Sequence, residues 1–220
     1  MAQNLLIKVC GMRQPDNIRD VAQLPINYMG FIFYPKSSRY VDTPVGYDDN
    51  AKHINKVGVF VDASAQNIIT HIVDFRLDAI QLHSSETPTA IHNLKATVIP
   101  DICPQLKIFK AISITSADDF DKCSQYEGLV DMFVFDTKCE GHGGSGQQFD
   151  WSVLHHYKGN TPFLLSGGIG SDDAARICAI QHPQLAGVDL NSRFESAPAV
   201  KDTKRLAHFI NQLTEHQHIV

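Results

Sequence analysis

The residues of this 220-residue chain that could carry acid–base chemistry stand at the ends of short apolar segments. Cys10 follows LLIKV, and Asp136 lies near the end of MFVFDT. A thiolate can accept a proton and a carboxylic acid can donate one, so the two groups are a candidate base and acid. Lys8 lies on the same strand face as Cys10, and its ammonium is expected to favour the thiolate. A lone cysteine at a strand end is more often a packing residue, but its predicted convergence with Asp136 favours catalysis.

Eight apolar segments alternate with longer amphipathic ones, which predicts strands joined by helices. Parallel neighbours need such crossover connections. The predicted strands are 5–10, 28–33, 56–61, 79–83, 107–114, 132–137, 162–167 and 187–191. Eight units in this length predict an α/β fold, a single (β/α)8 TIM barrel domain spanning 1–220. An open doubly wound sheet is the alternative, but the G-x-G-x-x-G turn usual after its first strand is missing.

Helix start signals separate these strands. The signals are Pro15 with Asp16, Ser64, Ser84 with Ser85 before Glu86, Thr115 with Ser116, Ser171 with Asp172, and Lys201 with Asp202. The segment 96–106 has two prolines and a brief apolar run, so it is either a loop or a strand.

One face of the predicted strands becomes polar toward their carboxyl ends. Alternate side chains face opposite sides of a strand, and this face carries Lys8, Cys10, Gly58, Phe60, Gln81, His83, Lys110, Val134, Asp136, Ser166, Asp189 and Asn191. The opposite face, which includes Val57 and Val59, is apolar and is expected to lie under the helices. Barrel active sites lie at the carboxyl ends of the strands, so we interpret the polar groups as a functional cluster rather than an ordinary polar layer.

Two glycine-rich segments follow predicted strands. In LLSGGIGSDD, Gly167 and Gly168 would let backbone N–H groups approach an anion at a helix start, and the position after the seventh strand is typical of a barrel phosphate site. A tight strand-to-helix turn is the alternative. Asn191 and Ser192 follow the eighth strand at the same corner. The loop 141–146 after Asp136, which contains Gly144, is either a lid over the substrate or a flexible connector.

A basic loop follows the second strand, in FYPKSSRYV. The planar guanidinium of Arg39 can form paired hydrogen bonds with a carboxylate or a phosphate. The alternative is a solvated basic loop. Cys139 and His142 lack companions at metal-ligand spacing, so no metal site is expected.

Bulk composition narrows the class of partner. The net charge of −5 and pI near 6.1 provide no basic excess for a nucleic acid or an anionic membrane, so a small molecule is expected. The five cysteines form no C-x-x-C pair, which indicates reduced thiols in a cytoplasmic protein. The chain begins without a signal-peptide pattern, and no apolar stretch approaches the ~20 residues that span a bilayer.

Seven motifs in order resemble the phosphoribosylanthranilate isomerase family. They are KVCGM at 8–12, GFIFYPKSSRYV at 30–41, VGVFVD at 57–62, QLH at 81–83, FDTKCEGHGGSGQQFDW at 135–151, LLSGGI at 164–169 and GVDLNS at 187–192, followed by the Lys201-Asp202 pair. Each motif alone is weak. Their order at barrel spacing is specific and covers the chain from its first strand to its last helix.

The resemblance implies an Amadori rearrangement of N-(5′-phosphoribosyl)anthranilate without a metal or other cofactor. It implies that Asp136 is the acid, Cys10 the base and Arg39 the ligand of the anthranilate carboxylate. Further substrate contacts are expected from Lys8, Gln81, His83 and Asp189, and phosphate contacts from Gly144, Gly167, Gly168, Asn191 and Ser192. A monomer or homodimer without a nucleic-acid or membrane partner is expected.

Two departures from the family pattern fall after the eighth strand. Arg193 and Phe194 stand where the family commonly has a glycine and a small apolar residue, so Arg193 either reinforces phosphate binding or points outward. Ala199 stands where glycine is common. Neither departure removes a proposed catalytic group.

Two other functions compete with this interpretation. Another barrel enzyme acting on a related phosphorylated sugar, such as indole-glycerol-phosphate synthase or a histidine-pathway isomerase, is expected to rely on lysine and glutamate or on two aspartates rather than on a cysteine and an aspartate. A catalytically silent barrel that binds phosphometabolites or an assembly partner would need no acid and base at the rim.

Overall fold

A closed parallel barrel forms the centre of the protein. The computed structural model describes residues 5–43, 54–137 and 148–217. Consecutive strands pair in parallel, and β8 pairs with β1 to close the barrel. The strands are β1 Leu6–Val9, β2 Tyr28–Ile32, β3 Asn55–Phe60, β4 Ala79–Leu82, β5 Lys107–Ile114, β6 Met132–Thr137, β7 Phe163–Leu165 and β8 Leu185–Leu190. The predicted barrel is confirmed, with all eight strands close to their expected bounds.

Helices of two kinds cover the barrel. The α-helices are α1 Pro15–Val21, α2 Ala65–Phe75, α3 Pro88–Val98, α4 Ala174–Cys178 and α5 Thr203–Gln217. The 3₁₀ helices are Ala117–Tyr126, Trp151–His156, Ser171–Asp173 and Ser192–Phe194. A short hairpin of β9 Glu195–Ala197 and β10 Val200–Lys201 precedes α5. None of the described helices is both long and apolar enough to cross a bilayer.

The expected start of the third helix was wrong. Thr87 caps α3 by accepting the N–H of Ala90 at 3.2 Å. Ser84 and Ser85 instead donate their hydroxyl protons to the two carboxylate oxygens of Asp62, each at 2.8 Å. These serines therefore tie the loop after β4 to the loop after β3. The uncertain segment 96–106 contains the end of α3 and the turns that follow, and no strand.

The faces of two strands are opposite to the prediction. The apolar cluster inside the barrel consists of Val57, Ala79, Phe109, Ala111, Met132, Val134 and Leu164. Val57 of β3 therefore points inward, and Phe60 points outward, where it packs against Phe33 and His71. Lys110 of β5 also lies on the outer face, where its ammonium pairs with Glu86 at 3.1 Å. Both faces of these strands are buried, so apolar alternation does not distinguish inside from outside.

The hairpin before α5 contains a strained residue. Ala199 has φ of 65° and is fully buried. A residue with a Cβ is destabilised by roughly 1 kcal/mol in this left-handed conformation, which glycine would adopt without that cost. The Ala199 N–H donates to Glu195 Oε1 at 3.2 Å. The turn thus holds the carboxylate of Glu195 in place.

Candidate active site

Polar side chains meet at the carboxyl end of the barrel. Cys10 directly follows β1, and Asp136 is the penultimate residue of β6. Between them on the inner surface, Asp189 of β8 forms an ion pair with Lys8 and interacts electrostatically with Asp136 and with Cys10. The structure therefore brings the predicted acid and base to the same end of the barrel.

Cys10 is a buried thiol surrounded by charged groups. It is 4% exposed, and its N–H donates to Leu190 O at 2.9 Å, which joins it to β8. Burial raises the pKa of the Cys10 thiol above its ordinary value, although the positive charges of Lys8 and Lys201 act to lower it. The predicted influence of Lys8 is thus present, but burial outweighs it.

Lys8 and Asp189 form a buried ion pair beside Cys10. The distance from Lys8 Nζ to Asp189 Oδ2 is 2.9 Å, and the two side chains are 0% and 6% exposed. Burial acts to lower the pKa of Lys8, but the attraction of Asp189 outweighs it and the pKa is raised overall. Asp189 Oδ1 is buried and has no hydrogen-bond partner among the described residues. A buried oxygen of this kind is suited to accept a hydrogen bond from a substrate hydroxyl.

Asp136 lies at the end of a short polar chain that begins on β4. Gln81 Nε2 is 3.0 Å from His83 Nδ1, and His83 Nε2 is 3.5 Å from Asp136 Oδ2. The other oxygen of Asp136 accepts the N–H of Thr137 at 2.9 Å. Gln81 is fully buried, whereas the Asp136 and His83 side chains are 16% and 20% exposed. The carboxyl group is therefore oriented by its neighbours and still reachable from the rim.

Gly167 allows β7 to pass close to this carboxyl group. Its φ is 85°, and a Cβ there would lie 2.9 Å from Asp136 Oδ1 and 2.3 Å from Thr137 Oγ1. Any side chain at this position would push Asp136 out of place.

Arg39 binds a carboxylate of the protein itself. Its Nε and Nη2 donate to Glu195 Oε1 and Oε2 at 2.8 and 2.7 Å. The Arg39 side chain crosses Gly11, the residue after Cys10, so closely that a Cβ there would lie 2.6 Å from Arg39 Cδ. The structure therefore places the Arg39 side chain against the residue that follows the thiol, and its role as a ligand of the substrate carboxylate stays a prediction.

Glu195 and Lys201 are two buried site residues that the sequence analysis missed. Lys201 Nζ donates to Glu195 Oε1 at 2.7 Å and to Asn191 Oδ1 at 2.8 Å. Burial acts to raise the pKa of Glu195, but the hydrogen bonds and charges of Arg39 and Lys201 lower it overall. Nothing local in the sequence marks this network, since Arg39 and Glu195 are 156 positions apart.

The predicted phosphate residues are partly brought together. Ser192 borders an open groove of about 630 Å³ with residues that follow the glycine turn. The groove is lined by Gln148, Gly170, Ser171, Asp172, Asp173, Arg176, Ser192, Arg193, Glu195 and Arg205. Gly167 and Gly168 form the glycine turn, have positive φ and are not among the residues that line the groove, whereas the Asn191 side chain is directed to Lys201. Gly144 and the rest of the loop 141–146 lie outside the described residues.

The arrangement of potential metal ligands can be compared with the requirements of a metal site. Within 5–43, 54–137 and 148–217, no three His, Cys, Asp or Glu side chains are arranged to hold a metal ion. Cys10, the one cysteine of the site within these ranges, faces Lys8 and Lys201 as well as Asp189, and the two cations oppose the binding of a metal ion. Cys139 and His142 fall outside these ranges.

The sequence of the chain matches a known protein family. The sequence profile of the family described as PRAI, N-(5′-phosphoribosyl)anthranilate isomerase, matches residues 7–212. A protein of Parabacteroides distasonis named N-(5′-phosphoribosyl)anthranilate isomerase is 46% identical over 213 residues, which cover 95% of this chain and 93% of the relative.

Solved structures show the same fold at lower identity. The phosphoribosyl anthranilate isomerase of Thermus thermophilus superposes with a TM-score of 0.80 at 20% identity and covers 96% of this chain and 99% of its own. A second isomerase structure, in complex with reduced 1-(o-carboxyphenylamino)-1-deoxyribulose 5-phosphate, has a TM-score of 0.75 at 23% identity with the same coverage. The profile match and the 46% identical relative show that the chain belongs to the N-(5′-phosphoribosyl)anthranilate isomerase family.

Proposed function

We propose that the chain catalyses the Amadori rearrangement of N-(5′-phosphoribosyl)anthranilate to 1-(2-carboxyphenylamino)-1-deoxyribulose 5-phosphate, with Asp136 as general acid and Cys10 as general base. Membership of the family makes the chain an isomerase. The assignment of roles is carried by one observation: the thiol and the carboxyl group stand at the same end of the barrel, with Asp189 interacting electrostatically with both.

The proposed reaction opens the sugar ring and transfers protons, with no atom gained or lost overall. Asp136 donates its proton to the furanose ring oxygen as the bond from that oxygen to C1 breaks, which leaves a Schiff base between C1 and the anthranilate nitrogen. The Cys10 thiolate then takes the proton from C2. The electron pair of that C–H bond forms the C1–C2 double bond, and the π electrons of the Schiff base move to nitrogen, which gives an enolamine. Transfer of the enol proton to C1 yields the ketone, so substrate and product are isomers. Acid and base assistance of this kind each contribute about 10²- to 10⁴-fold in rate.

The neighbouring polar groups position the sugar and the acid. Gln81 and His83 orient Asp136 through the chain of contacts at 3.0 and 3.5 Å. Lys8 fixes Asp189 so that its second oxygen accepts a hydrogen bond from a sugar hydroxyl. Holding the sugar in this way supplies much of the remaining rate by orientation.

The two anionic ends of the substrate fit two different regions. The anthranilate carboxylate binds Arg39. Nε and Nη2 of Arg39 are paired with Glu195, so the substrate carboxylate meets the edge of the guanidinium that carries Nη1. The phosphate binds backbone N–H groups of Gly167, Gly168 and Ser192, of which Ser192 lines the groove. The related isomerase that was solved with a reduced phosphorylated carboxyphenylamino sugar supports a ligand of this class. A monomer or homodimer in the cytoplasm stays our prediction.

The test is the decay of anthranilate fluorescence when freshly made phosphoribosylanthranilate is mixed with purified protein. Cys10→Ser and Asp136→Asn should each lower kcat by about 10²- to 10⁴-fold and leave the binding of a phosphate analogue intact. Cys103→Ser and Asp20→Asn, which change the same residue types away from the site, should retain turnover. Wild-type activity in either site variant would remove the assigned role, and a wild-type protein without turnover would exclude the function.

A further inference from the structure

Lys201 is a buried cation that the proposed reaction does not yet use. Its side chain is 0% exposed, and its ammonium donates to Glu195 Oε1 at 2.7 Å and to Asn191 Oδ1 at 2.8 Å. Burying an ammonium group is unfavourable unless it is paired, so this position requires the carboxylate that it contacts.

The backbone of Lys201 is fixed from the other end of the chain. Its N–H donates to Asn17 Oδ1 at 2.7 Å, and its carbonyl accepts from Asn17 Nδ2 at 2.8 Å. Asn17 is buried on α1, the helix that follows Cys10. These two hydrogen bonds hold β10 in register with the first helix, so the ammonium has a defined place beside the thiol.

Arg39, Glu195 and Lys201 carry a net positive charge only because Lys201 is one of the three. Arg39 and Glu195 form a pair whose charges cancel, and such a pair attracts a further carboxylate weakly. Lys201 brings the total for the three groups to +1. All three side chains are at most 12% exposed, and in such surroundings an unbalanced charge acts strongly on its neighbours.

The two cations of this cluster, Arg39 and Lys201, act on Cys10. Arg39 crosses Gly11, and both Arg39 and Lys201 interact electrostatically with the thiol. The other charged groups that face Cys10 are Lys8 of β1 and Asp189 of β8, which form an ion pair and largely cancel each other. Among the described residues, the net positive charge that remains near Cys10 therefore comes from the cluster of Arg39, Glu195 and Lys201.

We propose that Lys201 is a positioning residue of the isomerase, because its charge keeps Arg39, Glu195 and Lys201 net positive and thereby attracts the substrate carboxylate and stabilises the Cys10 thiolate. The proposal rests on the roles given above to Cys10 and Arg39. Lys201 touches neither the sugar nor the carboxylate and acts through Glu195 and through space.

The first experiment removes or retains the charge. Thiolate absorbance is titrated in each variant and in the same variant with Cys10→Ser, so that the difference reports Cys10 alone. Lys201→Met should raise the Cys10 pKa by about 1 and raise KM about tenfold, the equivalent of ~1.4 kcal/mol. Lys201→Arg should stay near wild type in both. Lys110→Met is the matched control, because Lys110 is an equally buried lysine paired with a glutamate on the outer face of the barrel, and it should change neither value.

The second experiment restores the charge without restoring the lysine. In Lys201→Met combined with Glu195→Gln, Arg39 alone supplies +1, so the Cys10 pKa should return toward wild type. A purely structural role for Lys201 would make the double variant worse than the single one, and that result would overturn the proposal. An unchanged thiol pKa and KM in Lys201→Met, or equal changes in Lys110→Met, would do the same. These outcomes are distinct from failure of the proposed function, which is measured by turnover in Cys10→Ser and Asp136→Asn.

Discussion

Glu195 accepts two hydrogen bonds from Arg39, from Nε at 2.8 Å and from Nη2 at 2.7 Å. This pairing fixes the plane of the guanidinium, and the hydrogen bonds that Arg39 donates to Glu195 raise the pKa of Arg39. Since one edge of the guanidinium is committed to the protein, a substrate carboxylate meets the other edge in a defined orientation.

Replacement of Arg39 should affect binding more than chemistry. We expect Arg39→Ala to raise KM about tenfold or more with a smaller change in kcat, because the carboxylate contact exists in both the ground state and the transition state. Arg39→Lys keeps the charge but cannot form the paired hydrogen bonds, so its KM should lie between wild type and alanine. Steady-state kinetics over a range of substrate concentrations give both constants. An unchanged KM in Arg39→Ala would show that the substrate carboxylate binds elsewhere.

Replacement of Glu195 should weaken the fold in a pH-dependent way. The folded pKa of Glu195 lies below its ordinary value, so its ionised form stabilises the protein above the unfolded pKa, and this contribution is lost as pH falls through the folded pKa. Glu195→Gln should cost about 2 kcal/mol at neutral pH, since two buried cations lose their counterion. Urea unfolding at several pH values measures this. The cost should shrink as pH is lowered into the acid range, and a cost that is constant with pH would contradict the linkage.

The tautomer of His83 is predicted by its contact with Gln81. An amide Nε2–H donates to an unprotonated Nδ1, which places the histidine proton on Nε2, toward Asp136. Nitrogen-15 spectra of labelled histidine should show the Nε2–H form for His83 in wild type and a mixture in Gln81→Met, with kcat/KM lowered about tenfold. His92, an exposed residue of α3, is the internal control in the same spectra. Detection of the Nδ1–H form in wild type would contradict this prediction and would show that the Gln81 amide oxygen, not its nitrogen, faces His83.

The alkaline limb of the pH profile should belong to Cys10. Catalysis needs the thiolate together with a protonated carboxyl group, and carboxyl groups titrate at lower pH than thiols. Above the thiol pKa no further thiolate forms while carboxyl protons continue to be lost, so kcat/KM should be flat through neutral pH and fall above the thiol pKa. Because burial raises that pKa, the limb should lie above the ordinary value of ~8.5. Its midpoint should coincide with the titration of Cys10 by thiolate absorbance, and a limb well below that titration would assign it to another group.

The sequence predicted the order of the strands better than their orientation. Turn residues and apolar runs located all eight strands, because these signals are local. In β3 the alternation of Val57 and Phe60 was recognised, but the inner and outer faces were exchanged, and Lys110 of β5 was misplaced in the same way. Barrel strands are buried on both sides, so only tertiary packing determines which set of side chains points inward.

The same limit applies to the site. Cys10 and Asp136 could be selected as candidates because they stand at strand ends, where a barrel gathers its functional groups, and the structure places both at the same end of the barrel. Glu195 and Lys201 lie in a hairpin beyond the last strand, and their partners Arg39 and Asn17 are 156 and 184 positions away. The Lys201-Asp202 pair was noted in the sequence, but as a helix start and a family motif rather than as part of a charged network.

The contact between Asn17 and Lys201 joins the beginning of the chain to its end. A ribosome releases Cys10 and Arg39 early, long before Glu195 and Lys201 have been synthesised. Until then the thiol has neither its neighbouring strand β8 nor the full set of charges around it. The surroundings of this cysteine are therefore completed only in the finished polypeptide, and a product of premature termination upstream of the hairpin would carry Cys10 and Asp136 without the charged contacts of Glu195 and Lys201.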